Sequence, residues 1–194
     1  MNELSCPATD GLTDEELARR VAGGQVEVFA QLYERYYARA FRLAWGMTGE
    51  RAAAEELTQE IFLRAWQKAG QFRGESSFGT WFYRLAAHCC LNARQRLTRR
   101  AHETLEAAAH LPQAGALRQL EAGLRQQELQ GEVQRALLSL KPEWRLVVIL
   151  KDLEGLSYEE IAARLDCSAG TVASRLNRAR ALLARKLAHL RGAV

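Results

Sequence analysis

Along most of this chain apolar residues recur at the three- and four-residue spacing of an amphipathic helix, and strand-like alternation is almost absent. The first such stretch opens at Thr13, with Glu16 three positions later, a pairing that caps a helix start. Leu17 and Val21 then share a face until Gly23-Gly24 stops the pattern. A second helix is predicted from about Val26 to near Gly49, with Phe29, Leu32, Tyr33, Tyr36, Ala40, Leu43 and Ala44 forming its apolar stripe. A third covers Arg51 to Lys68, where Leu57, Ile61 and Ala65 stand one turn apart. Gly70 to Ser77 interrupts the pattern, and a fourth helix carries Phe78, Phe82, Leu85 and Cys89 toward a core.

The pattern fades after Arg100. Around Leu111-Pro112-Gln113-Ala114-Gly115 the chain is rich in Ala, Gln and Gly, with too little bulky apolar surface to pack alone. Helical spacing returns from Leu124 to Leu138, and Pro142 pre-sets the first turn of a helix containing Leu146, Val147, Ile149 and Leu150. The predicted fold class is all-α. Two small helical domains, residues 1–100 and 128–194, are joined by a flexible linker over 101–127. Apolar residues make up 48% of the 194, enough to give both domains a core.

From Glu154 to Arg180 the punctuation is explicit. Ser157 and Glu160 form a capping box, and Ile161, Ala162 and Leu165 face inward. Asp166-Cys167-Ser168 then turns tightly into a helix with Val172 and Leu176 buried. Ala162 supplies the small residue that two steeply crossing helices need. This is a helix-turn-helix, whose second helix enters the DNA major groove with its N-terminal residues at base edges. The candidate duplex-reading residues are Thr171, Ser174, Arg175, Asn177 and Arg178, with Ser168 capping the helix where a backbone phosphate could sit.

Charge sharpens this reading. The net charge is only +4, but from Met1 to Glu34 the only bases are Arg19 and Arg20. From Arg164 onward Asp166 is the only acid, among Arg175, Arg178, Arg180, Arg185, Lys186 and Arg191. A basic final helix suits phosphate neutralisation; the competing reading is a merely solvated surface. No basic-then-apolar leader and no membrane-length apolar run occur, which points to a cytosolic protein without direct membrane insertion. Phosphate-binding, zinc-protease and nucleophile-elbow motifs are absent and the four histidines are scattered, so no catalytic site, small-molecule substrate, cofactor or metal is expected. His88-Cys89-Cys90 are zinc-ligand types. Successive helical residues point about 100° apart, however, so three in a row do not converge on one ion, and Cys89 reads as a small core residue.

Two further segments carry a family resemblance: Glu55-Glu56-Leu57-Thr58-Gln59-Glu60-Ile61-Phe62-Leu63-Arg64-Ala65-Trp66, then Phe72-Arg73-Gly74-Glu75-Ser76-Ser77-Phe78 followed by Trp81-Phe82-Tyr83-Arg84-Leu85-Ala86. Their order resembles region 2 of sigma-70 family factors, and the helix-turn-helix resembles region 4. Nothing between resembles a third region, which is similar to the extracytoplasmic-function group. The resemblance covers about Phe29 to Leu190.

It implies a transcription initiation factor that binds RNA polymerase core through the largest-subunit clamp and the flap, and carries it to promoter DNA. Glu55, Glu56, Gln59, Glu60 and Arg64 would face the clamp. Phe72, Arg73, Ser76, Trp81, Arg84, His88 and Arg96 would hold the melted −10 strand, with Tyr83 offering a further aromatic face and Arg94, Arg99 and Arg100 further charge. Ser168, Thr171, Ser174, Arg175, Asn177 and Arg178 would read the −35 duplex. An anti-sigma factor is the implied inhibitor, which could hold the protein at the inner membrane. Three positions depart from the family pattern: His88 where Asn is common, Asn92 where Asp is usual and Ala173 where Lys or Arg is frequent, so base preferences do not transfer. The competing function is a stand-alone dimeric helix-turn-helix regulator, which would need a symmetric dimer and no polymerase.

Overall fold

A computed structural model describes the backbone of residues 11–103 and 120–192 and the side chains of 11–93 and 128–190. Among the described residues there are eight α-helices and no strand. Helix α1 spans Asp14–Ala22, α2 Phe29–Thr48, α3 Arg51–Lys68 and α4 Phe78–Glu103. Helix α5 spans Leu120–Leu138, α6 Pro142–Val148, α7 Tyr158–Leu165 and α8 Ala169–Lys186. The linker expected over 101–127 lies largely outside the described residues. The backbone of 101–103 belongs to α4 and that of 120–127 to α5.

The helix starts follow their local chemistry. Both expected capping boxes form: Thr13 accepts from the Glu16 amide while Glu16 reaches back to the Thr13 amide, and Ser157 and Glu160 do the same. In each box the hydrogen bond from the cap amide holds the glutamate below its ordinary range. A depressed carboxylate stabilises the fold above its unfolded value near 4.5 and stops doing so as pH falls through the lower folded value. Acid titration followed by NMR is expected to show Glu16 and Glu160 protonating below the ordinary glutamate value near 4.5, with α1 and α7 fraying as they do.

The N-terminal bundle is α1 to α4, closed around an aromatic cluster. Tyr36, Phe62, Phe78 and Phe82 meet edge-on or tilted, with centroids 4.9–5.3 Å apart in the Tyr36–Phe78, Tyr36–Phe82 and Phe62–Phe82 pairs. Helix α1 locks this cluster from outside. Tyr36 donates to Asp14 at 2.6 Å, and Glu15 accepts from the Phe78 amide at 2.9 Å, capping α4 from 63 residues away. Gly79 lets the two helices approach closely here: a Cβ at that position would stand 3.1 Å from the Tyr36 hydroxyl, which would have to give by a few tenths of an ångström.

The C-terminal bundle is the end of α5 with α6, α7 and α8. Helix α6 continues through a π-helical turn over Ile149–Leu153. Asp166 takes the left-handed conformation at φ 52° to end α7, and Ser168 caps α8 by accepting from the Thr171 amide. Short polar side chains tolerate that backbone region best after glycine, which is why an Asp stands at the turn.

Candidate nucleic-acid interface

The recognition helix α8 buries Val172, Leu176 and Ala179 against α6 and α7. At 100° per residue, Ser168, Thr171, Ser174, Arg175 and Arg178 fall within one turned-out sector. Ser168, Ser174 and Arg178 are exposed there, and Thr171 and Arg175 half-exposed. Asn177 is also exposed but lies on the flank of that sector. Arg180 is engaged elsewhere, donating to Asp152 at 2.6 Å, which holds its guanidinium even further above its usual range. The basic final helix read from the sequence therefore resolves into a compact exposed face and an arginine engaged with Asp152.

Helix α3 presents a different surface. Glu56 and Gln59 are exposed, while Glu55 pairs with Arg51 and Glu60 with Arg64, each one turn along the helix. Beside Gln59 stand Leu63, 52% exposed, and Trp66, 46% exposed. Two large apolar side chains in water beside a polar stripe are the marks of a partner surface. Sequence reasoning passed over both, although they sit on the Gln59 face by helical spacing. Tyr33 of α2, itself part-exposed, packs 4.5 Å from Phe62 and extends the apolar area across the groove between α2 and α3.

The residues of α4 and of the loop before it that were expected to hold unpaired bases divide into two groups. Arg73, Arg84 and His88 are exposed, and Ser76 and Trp81 are half-exposed. Phe72 is not available: it is 8% exposed and packs edge-on to Phe78 and Trp81, because a phenyl ring entering the bundle gains more from burial than from water. Tyr83 is buried too, its ring under the Arg164 guanidinium at 5.0 Å. Arg96 belongs to α4, but its side chain, like those of Arg94, Arg99 and Arg100, lies outside the described residues. His88 faces outward while Cys89 and Cys90 are both buried, so the three side chains diverge. Burial also pushes the Cys90 thiol well up, which keeps it protonated and unreactive.

The two bundles are packed together. Glu154, whose side chain is 4% exposed, accepts from Arg42 Nε at 2.8 Å and Nη2 at 3.0 Å, and from the Tyr83 hydroxyl at 3.2 Å. Burial and the Glu154 charge together push Tyr83 up to about 12. Arg84 donates to the Ala163 carbonyl at 2.9 Å, tying α4 to α7. Arg145 is completely buried and donates to Leu137 and Met47 carbonyls at 2.7 Å each. It also donates to the Leu138 and Leu140 carbonyls. Where α7 crosses α4, a cleft of about 470 Å³ remains, lined by Trp81, Arg84, His88, Arg164 and Asp166 among others.

Two family models match the chain: "Sigma-70 region 2" over residues 32–100 and "Sigma-70, region 4" over residues 130–183. The ECF RNA polymerase sigma-E factor of Escherichia coli K12 is 34% identical over 187 residues, covering 92% of this chain and 96% of that protein. The chain belongs to the extracytoplasmic-function sigma factors of the sigma-70 family. It is a transcription initiation factor that directs RNA polymerase to promoters.

The RNA polymerase sigma-H factor of Pseudomonas aeruginosa is similar to this sigma factor at 34% identity over 86% of the chain. Two solved structures share its fold. One is CnrH in complex with the cytosolic domain of CnrY, with a TM-score of 0.64 and 26% identity over 91% of this chain and 97% of that one. The other is the sigma factor RpoE in complex with the anti-sigma factor NepR from Bartonella quintana, with a TM-score of 0.61 and 25% identity over 82% and 96%. In this sigma factor region 2 takes in α2, α3 and most of α4, and region 4 runs from the middle of α5 through most of α8. Among the described residues no helix is long and apolar enough to cross a membrane.

Proposed function

We propose that this sigma factor divides promoter recognition among three helix faces within a domain at 1–100, a linker at 101–127 and a domain at 128–194. In this reading α8 reads the −35 duplex through Ser168, Thr171, Ser174, Arg175, Asn177 and Arg178. Helix α4 and the loop before it hold the melted −10 strand through Arg73, Ser76, Trp81, Arg84, His88 and Arg96, without Phe72. Helix α3 meets the polymerase clamp through Glu55, Glu56, Gln59, Glu60 and Arg64, with Leu63 and Trp66 added at the centre. The observation that carries the reading is the coincidence, on α3, of two water-exposed large apolar side chains with the exposed Glu56 and Gln59.

Melting needs no hydrolysis in this scheme. Arg84 and His88 with the part-exposed Trp81 offer charge and a stacking face, and each stacked base is worth about 1–3 kcal/mol. Binding of unpaired bases therefore captures the open duplex, and the chain carries no catalytic site. An anti-sigma factor, the partner in the related NepR complex, is the expected inhibitor, with the sigma factor in the cytoplasm or held at the inner membrane through that partner. A stand-alone dimeric regulator is not favoured, because the match spans both polymerase-factor regions.

Gel filtration with bacterial RNA polymerase core tests the whole scheme: the protein is expected to co-elute, and a Gln59→Ala, Glu60→Ala variant to separate. A free symmetric dimer that ignores core would reverse the reading. For α8, Arg178→Ala is expected to weaken duplex promoter binding and to lower its salt dependence by about one phosphate contact. A change confined to one base position would instead mark direct readout. No change would remove Arg178 from the interface.

A further inference from the structure

Helix α1 lies ahead of residue 32, outside both matched regions, yet it holds both ends of the loop that precedes α4. On one side the 3₁₀ turn Ala69–Gln71 rests against α1, and the Phe72 amide donates back to the Ala69 carbonyl at 3.0 Å. On the other side Glu15 accepts from the Phe78 amide at 2.9 Å, where α4 begins. Between these points the chain turns at Gly74, with φ 75°, and carries Arg73 and Ser76.

Helix chemistry explains why a cap comes from so far away. The first four amides of a helix have no partner within it, and the N-terminal dipole favours a carboxylate there. In α4 Ser77 accepts from the Thr80 amide at 3.2 Å, and the Phe78 amide falls to Glu15. Helix α1 is fixed in its turn. Leu17, Ala18 and Val21 are buried, Asp14 accepts from Tyr36 and from Arg35 at 2.6 Å each, and Arg35 also donates to the Leu12 carbonyl at 3.0 Å. Glu15 is thus a fixed point to which the start of α4 is tied.

The tie reaches the −10 residues through one ring. Phe78, 2% exposed, has its centroid 5.7 Å from the Phe72 ring and 5.5 Å from the Trp81 ring. A shift of its backbone therefore moves both the root of the loop that bears Arg73 and Ser76 and the indole face of Trp81. We propose that Glu15 is a positioning residue for strand capture: by capping α4 from α1, it sets the loop and Trp81 in the arrangement that holds unpaired bases. The proposal rests on the −10 assignment above. Groups that bind a ligand work only when held to within about 0.5 Å, so a residue that locks them governs binding without touching the strand.

The experiment uses polymerase holoenzyme assembled with the full chain on a promoter that it transcribes, and reads open complexes by the permanganate reactivity of unpaired thymines. Glu15→Ala is expected to lower the equilibrium constant for opening by about tenfold, the factor that corresponds to one helix cap. Affinity for core and for duplex promoter DNA should stay unchanged, with circular dichroism as the folding control. A loss of all three in proportion would mark a general loss of structure and overturn the proposal, as would unchanged opening.

Two further variants separate reach from charge. Glu15→Gln keeps the length and a carbonyl acceptor and should retain most of the opening. Glu15→Asp keeps the charge, falls one methylene short, and should behave like Glu15→Ala. A Gln variant as defective as the Ala variant, or opening that rises once the charge is removed, would mean that the carboxylate acts through its field and not as a cap, and the proposal would fall.

Arg73→Ala with Arg84→Ala in the same holoenzyme keeps the two readings apart. Opening that depends on these arginines but not on Glu15 removes the proposal and leaves the −10 assignment standing. Opening indifferent to both arginines removes the assignment and the proposal together.

Discussion

Replacing Arg145 by Met is expected to destabilise the protein by about 2–5 kcal/mol, because buried carbonyls that lose their donor cost about 1–3 kcal/mol each. Arg145 is fully buried, and its guanidinium is shared among backbone carbonyls at two helix ends. Leu137 and Leu138 close α5 and Leu140 follows it, while Met47 belongs to the last turn of α2. The last carbonyls of a helix have no partner within it, and the helix dipole adds partial negative charge there. Arginine meets this need with five donors in a planar fork, and these carbonyl dipoles offset part of its charge.

Methionine matches the side-chain length and offers no donor, so the carbonyls would stay buried with fewer hydrogen bonds, at about 1–3 kcal/mol for each left unsatisfied. Urea unfolding followed by circular dichroism measures the loss. Arg145→Lys should recover only part of it, since one ammonium cannot serve both helix ends. A loss under about 1 kcal/mol would mean that water replaces the guanidinium at little cost.

The second large effect is expected at the polymerase surface. Leu63→Ala with Trp66→Ala should reduce affinity for RNA polymerase core by about 2–4 kcal/mol, roughly 30- to 1,000-fold, while leaving the fold intact. Both side chains are about half in water already, so truncating them opens no cavity in the bundle. In a complex they would form the apolar centre of the patch, and aromatic anchors of this kind carry most of an interface's energy. Glu60 and Arg64 form a half-buried i,i+4 pair, a type worth only a few tenths of a kcal/mol to the helix, so replacing Glu60 tests the contact to polymerase and not the helix. Competition binding to core, with circular dichroism as the folding control, separates the terms. Unchanged affinity in the double variant would move the clamp contact off this face of α3.

How much of this could be read beforehand follows from the range of the interactions involved. The helix-turn-helix was legible in detail, because the Ser157–Glu160 capping box, the Asp166 turn and the Ser168 cap act within three or four residues. Helix α3 was found at its observed ends, since Gly49 and the Gly70 break bracket a clear period. The α3 surface proposed to meet polymerase was half legible. Its charged residues were named, but Leu63 and Trp66 were passed over, because spacing alone does not separate an apolar residue at the edge of the core from one facing water. Phe72 failed for the opposite reason: an aromatic in a polar loop reads as exposed until the aromatic cluster of Phe78 and Trp81 is seen to receive it.

The sequence by itself determined the all-helical class, the caps and turns, the basic reading helix and the division into two regions, because each depends on residues a turn or two apart. Only the tertiary structure decided that Arg145 is a core residue, that Arg180 is spent on Asp152, and that region 4 rests against α2 and α4 through Glu154. Arg42 and Glu154 are 112 residues apart in the chain, and nothing local distinguishes either from an ordinary surface charge. Burial and pairing over that separation are set by how the two bundles meet.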